Sequence, residues 1–136
     1  TVQPGIERAA EHYDGWFPIG PDPVTFKRQN EEFRAAAAGA GRNFEDLTTA
    51  IYLTVSIMND PIEAEAAIDD YLQGYYNAPP IALRGFQACK GGTADEVMSF
   101  LRAFVEGGAQ HLVIRCVGDH QAIQQTIAKR RDELVN

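Results

Sequence analysis

The run from Gly92 to Val117 limits most what this chain can fold into. It holds a helix start at Thr93, an apolar helical stripe, a glycine stop at Gly107-Gly108, and the strand-like Leu112-Val113-Ile114-Arg115-Cys116-Val117. Thr93 followed by Glu96 has capping-box spacing, in which each side chain satisfies a backbone N–H that the first helical turn leaves free. Val97, Phe100, Leu101, Phe104 and Val105 recur at i, i+3, i+4, i+7 and i+8, so one face of this helix must be covered. The strand that follows is apolar on both faces, as parallel strands lying between packed layers are. A helix feeding such a strand is part of a βα architecture.

The rest of the chain repeats the pattern. Ile6, Ala9, Ala10 and Tyr13 mark a first helix that Asp14-Gly15 ends. Trp16-Phe17-Pro18-Ile19 reads as a short strand, with the proline at its end because it lacks a ladder N–H. Asp22 and Pro23 fit an N-cap and a first helical position, predicting a helix from Pro23 to about Ala38 that buries Phe26, Phe33 and Ala37. Leu47 to Met58 carries the β-branched and aromatic set of a strand. Asp60-Pro61 starts another helix, with Glu63 placed for a capping box; its pattern fades at Gly74. Residues 77 to 92, with Pro79 and Pro80, read as an irregular connector or a short extra helix. Gly118-Asp119 opens a last helix carrying Ile123, Ile127 and Leu134. Helices and strands in this alternation predict an α/β fold around a parallel sheet.

At 136 residues the chain is long enough for one core and too short for a whole (β/α)8 barrel, which takes roughly 250 residues. We therefore expect residues 1–136 to form one unit. The start at Thr1, without methionine and directly on helix-like sequence, adds the expectation that residues upstream have been removed. A net charge of −7 and the lack of a dense basic cluster argue against a nucleic-acid partner. No apolar run reaches the roughly 20 residues a bilayer span needs, and no leader pattern opens the chain. Cys89 and Cys116 lack CxxC spacing and read as reduced core thiols of a cytoplasmic protein.

Arg115 is the first candidate for chemistry. Strand alternation puts it on one face with Val113 and Val117, near the strand end where parallel barrels place their ligand sites. Its planar fork suits a carboxylate or phosphate, and an internal salt bridge to Asp119 or another acid is the alternative. Trp16 and Phe17 suit either an apolar ligand wall or the core. His120 follows the last strand but lacks a partner acid or nucleophile in a recognisable motif, while His12 and His111 sit where a barrel places stability rather than catalysis. The glycine pairs at 91–92 and 107–108 form no phosphate-binding motif, and the histidines and cysteines lack metal-ligand spacing. No catalytic residue and no metal set is identified.

Three segments, in this order, carry a resemblance. They are Ala9-Ala10-Glu11-His12-Tyr13-Asp14-Gly15-Trp16-Phe17-Pro18; Gly41-Arg42-Asn43-Phe44-Glu45-Asp46-Leu47; and Gly92-Thr93-Ala94-Asp95-Glu96-Val97 with Gly108-Ala109-Gln110-His111-Leu112-Val113-Ile114-Arg115. Together they resemble the closing part of the luciferase-like flavin-dependent monooxygenases, a family that includes bacterial luciferases and deazaflavin-dependent reductases. The resemblance implies the last three βα units of a TIM-type (β/α)8 barrel, with strands at Trp16–Ile19, Leu47–Met58 and Leu112–Val117. It also implies that the Gly-Gly-x-Ser segment holding the cofactor phosphate would precede Thr1. Trp16, Ile19 and Arg115 would be what this chain retains of the cofactor- or substrate-binding wall.

Two functions follow as expectations. In the first, the chain is part of a flavin- or deazaflavin-dependent oxidoreductase that uses FMN or the deazaflavin coenzyme on a small organic substrate, the isolated chain being inactive and holding no cofactor. In the second, it is a self-standing α/β binding or assembly module. An open sheet exposes edges and an apolar face, so self-association into a homo-oligomer is expected in either case.

Overall fold

The computed structural model describes residues 3–135. In chain order the elements are α1 (Gln3–His12), β1 (Gly15–Trp16), α2 (Pro23–Gly39), β2 (Thr48–Ile57), α3 (Pro61–Tyr76), α4 (Pro80–Arg84), β3 (Ala88–Gly92), α5 (Ala94–Glu106), β4 (His111–Cys116) and α6 (His120–Lys129). Short 3-10 turns cover Phe44–Asp46 and Arg131–Glu133. Every strand pairing is parallel.

β2 is the centre of the sheet, and the parity of its backbone groups shows which neighbour lies on which edge. Its even-numbered residues turn to one side: Thr48 N–H donates to Asp14, Tyr52 N–H to Pro18, and, just past the end of the strand, Met58 N–H to Gly92. Its odd-numbered carbonyls turn to the other, Thr49 accepting from Gln110 N–H and Val55 from Val117 N–H. β1 and β3 therefore lie end to end along one edge, and β4 runs along the other. Passing from β2 to β3 moves toward the first edge; passing from β3 to β4 reverses direction. Right-handed crossovers then require α3 and α5 to lie on opposite faces, and they do.

The face of odd-numbered β2 residues is closed. Ile51, Leu53 and Val55 pack with Phe26 of α2, Val97, Met98, Leu101 and Phe104 of α5, and Ile123 of α6. Burying each of the larger side chains contributes about 1.5–3 kcal/mol, so this layer is the main store of stability. The expected Thr93–Glu96 capping box starts α5, with both reciprocal bonds made. Gly108, at φ +106°, turns the chain into β4, and a Cβ there would sit 2.1 Å from the Asn30 amide nitrogen. Asn30 in turn donates to the Gly107 carbonyl at 3.2 Å, tying α2 to the end of α5.

The opposite face carries α3, but only over part of its area. Ile68 and Leu72 pack with Leu83 and Val117, and with the half-buried Tyr71 and Cys89. The helix comes close because β3 presents Gly91, where a Cβ would lie 2.5 Å from the Ala64 backbone.

Four expectations need correction. The segment 77–92 is neither an irregular connector nor only a short helix: it contains α4 and then β3, so the described residues form four strands and not three. β1 is limited to Gly15–Trp16, because Pro18 has no N–H to continue the ladder, although its carbonyl still accepts from Tyr52. The last helix ends at Lys129, and Leu134 reaches the core from the 3-10 turn beyond it. Asp60 caps α3 through the Ile62 N–H, and among the described residues Glu63 returns no bond to complete a box.

Candidate functional site

Arg115 stands on the less covered face. Its β2 partner in the register is Thr54, and Val113 is paired with Tyr52, so Tyr52, Val113 and Arg115 project to the same side. From above, the last turns of α3 bring Tyr71 and Tyr75 over the guanidinium, with ring centroids 5.7 and 5.9 Å from its central carbon. The two rings stack on each other at 5.5 Å. A cation above an aromatic face is stabilised by the ring quadrupole, and its N–H groups point outward in the guanidinium plane, where Tyr52 takes one of them.

The charge of Arg115 is not neutralised locally. Among the described residues no carboxylate lies within ion-pair distance of it, and the salt bridge to Asp119 expected as the alternative is not formed. Asp119 instead caps α6, accepting from Ala122 N–H at 3.0 Å. The groups acting on the guanidinium are phenols, Tyr52 first and then Tyr71 and Tyr75, and they raise its pKa. Burial pushes the Tyr71 hydroxyl pKa up against the lowering effect of Arg115, and that oxygen is buried with no hydrogen-bond partner among the described residues. Such an orphan is the kind that a bound ligand oxygen satisfies.

The two other expected site residues lie apart from Arg115. Trp16 pairs with Thr49, an odd-numbered position of β2, and so faces the helices, where it stacks on Phe33 at 6.4 Å. Ile19 is 44% exposed, and its carbonyl accepts from Ala88 N–H at the first edge of the sheet. Arg115 is on the other edge, with its partner Thr54 five residues along β2 from Thr49, or about 16 Å at 3.3 Å per residue. Sequence reasoning missed Tyr52, Tyr71 and Tyr75 as neighbours of Arg115. Tyr52 was legible by alternation, while Tyr71 and Tyr75 required knowing that α3 crosses this face.

His12, His111 and His120 are exposed and dispersed, and no group of three or more metal-ligating side chains forms among the described residues. Cys89 and Cys116 are free, and burial raises both thiol pKa values. Among the described residues no helix is long and apolar enough to cross a membrane.

With this geometry in view, solved structures provide a comparison. An F420-dependent secondary alcohol dehydrogenase, solved with an F420-acetone adduct, superposes with TM-score 0.80 at 16% identity, over 98% of this chain and 47% of its own. The coenzyme F420-dependent tetrahydromethanopterin reductase from Methanopyrus kandleri gives TM-score 0.65 at 13% identity, over 93% and 47%. A long-chain alkane monooxygenase gives 0.64 at 17%, over 93% and 39%. At these identities the likeness is one of fold, that of a partial TIM-type barrel, and this chain spans less than half the length of each. No curated protein matches the chain. The model of the luciferase-like monooxygenases matches residues 3–135. Nearly every residue is thus accounted for by one family, and the chain belongs to the luciferase-like monooxygenases.

Proposed function

We propose that residues 1–136 are the C-terminal unit of a flavin- or deazaflavin-dependent oxidoreductase acting on a small organic substrate, the remaining barrel strands coming from outside this sequence. The observation that carries the reading is the Arg115 face, bare within a chain that matches a barrel-enzyme family along its length. When bound, FMN or the deazaflavin coenzyme would supply hydride transfer or oxygen activation, and the protein would position the reactants and set their electrostatics.

The residues present fit one wall of such a site. Arg115 offers an unneutralised fork to an anionic edge of coenzyme or substrate. The Tyr71 hydroxyl lacks a partner, and Val113 is left bare beside them. Ile19, on the other edge of the sheet, would add a separate exposed apolar side chain, and Trp16, packed on Phe33, would anchor the segment leading to it. A single wall does not enclose a ligand, so the isolated chain should neither retain coenzyme nor turn over. The free outer edge of β4 should drive self-association, and we place the protein in the cytoplasm.

Expression from the complete gene tests this. Binding of FMN or the deazaflavin coenzyme at one site per chain supports the reading, and failure to bind either contradicts it. A yellow, stoichiometrically loaded sample of the 136-residue chain would overturn the claim that this unit is insufficient.

A further inference from the structure

We propose that the Arg115 cluster receives a carboxylate carried on a flat, unsaturated frame, so that the substrate of the oxidoreductase is an aromatic or conjugated carboxylic acid. This rests on the oxidoreductase reading and narrows it.

The setting of the cation is the first reason. Arg28, Arg84, Arg102 and Arg130 pair with carboxylates, Arg42 donates to the Ala10 and Tyr13 carbonyls, and Arg34 lies over the single ring of Phe44. Arg115 is instead surrounded by Tyr52, Tyr71 and Tyr75, which hold it in place without cancelling its charge. A guanidinium kept this way has a fork available for two parallel N–H···O bonds to a carboxylate.

The surroundings select the frame. Tyr75 is 64% exposed and Val113 43% exposed, so a flat ring held at its acid group by Arg115 has an aromatic face and an aliphatic edge to lie against. An acid as short as acetate would leave that surface unused.

Phosphate fits less well. The obvious cradle for a phosphate would be the start of α6, directly after β4. Its amide at Ala122 is already taken by the chain's own Asp119 carboxylate, which also repels a dianion.

The test is an NMR titration of the labelled protein expressed from its complete gene with benzoate, acetate and inorganic phosphate, following the Arg115 Nε–H, the Val113 methyls and the Tyr75 ring. Benzoate should give saturable shifts at all three and bind about tenfold or more tightly than acetate or phosphate, the gain of one ring contact. Arg115→Met should abolish the shifts while leaving the spectrum elsewhere unchanged. Arg115→Lys, which keeps the charge and loses the fork, should weaken benzoate about tenfold. Tyr75→Ala should bring benzoate down to the level of acetate. Equal binding of phosphate, unchanged benzoate binding in Arg115→Met, or no saturable shift at these groups would overturn the proposal. If the complete-gene protein binds a coenzyme while benzoate leaves Arg115 unshifted, the carboxylate fails and the coenzyme reading stands. If benzoate shifts Arg115 and the complete-gene protein binds no coenzyme, the carboxylate site stands and the coenzyme reading fails.

Discussion

The two faces of the central sheet are built from the same strands and finished in opposite ways. On one, Ile51, Leu53 and Val55 lie under α2, α5 and α6 and are wholly buried. On the other, α3 covers the region of Gly91 and Cys89, while Val113 and Arg115 of β4 stay exposed. The first face is completed by this chain's own residues. The second carries an exposed cation held by tyrosines and the half-exposed Val113 beside it. The contrast separates what holds the unit together from what it offers a ligand.

Substitutions can break or sharpen that contrast. Phe104→Ala on the closed face should cost about 3–5 kcal/mol, through lost burial plus the cavity left, read as a fall in urea midpoint. Gly91→Ala forces a Cβ against the Ala64 backbone and should cost about 1–3 kcal/mol by pushing α3 off β3. Val113→Ala on the open face should change stability by no more than about 0.5 kcal/mol, and a loss comparable to that of Phe104→Ala would show that this face is packed after all.

The smallest effect belongs to the rim of the closed face, where Arg130 bridges Asp95 and Glu133, and Arg102 also reaches Glu133. Contact with Arg130 lowers the Glu133 pKa. A carboxyl group lowered in the folded state binds fewer protons there than in the unfolded chain. Its contribution is therefore present above the ordinary carboxylate range and lost as pH falls through the folded value. Glu133→Gln should lower neutral-pH stability slightly, the pair being solvent-exposed, and flatten that part of the acid limb, so that the two proteins converge in melting temperature at low pH.

Much of the closed face was legible in the sequence, because helical spacing and β-branched runs report burial directly. Phe26, Phe33, Leu101 and Phe104 were all identifiable as core from their spacing alone. β3 was not. Ala88-Cys89-Lys90-Gly91-Gly92 has no β-branched or aromatic residue, and it is a strand because β2 pairs with it and because Gly91 admits the α3 backbone. The same limit applies to the site. Arg115 could be found from alternation along its strand, whereas its companions Tyr71 and Tyr75 come from a helix whose placement depends on the reversal of sheet order, which no local pattern encodes.

Val113 and Ile114 offer the most direct test, being adjacent in sequence and on opposite faces of β4. Methyl spectra of the protein expressed from its complete gene, recorded with and without FMN or the deazaflavin coenzyme, should show the Val113 methyls shifting and the Ile114 δ-methyl holding still. Coenzyme binding that moves Ile114 and leaves Val113 unchanged would contradict the assignment of the Arg115 face as the ligand-binding side.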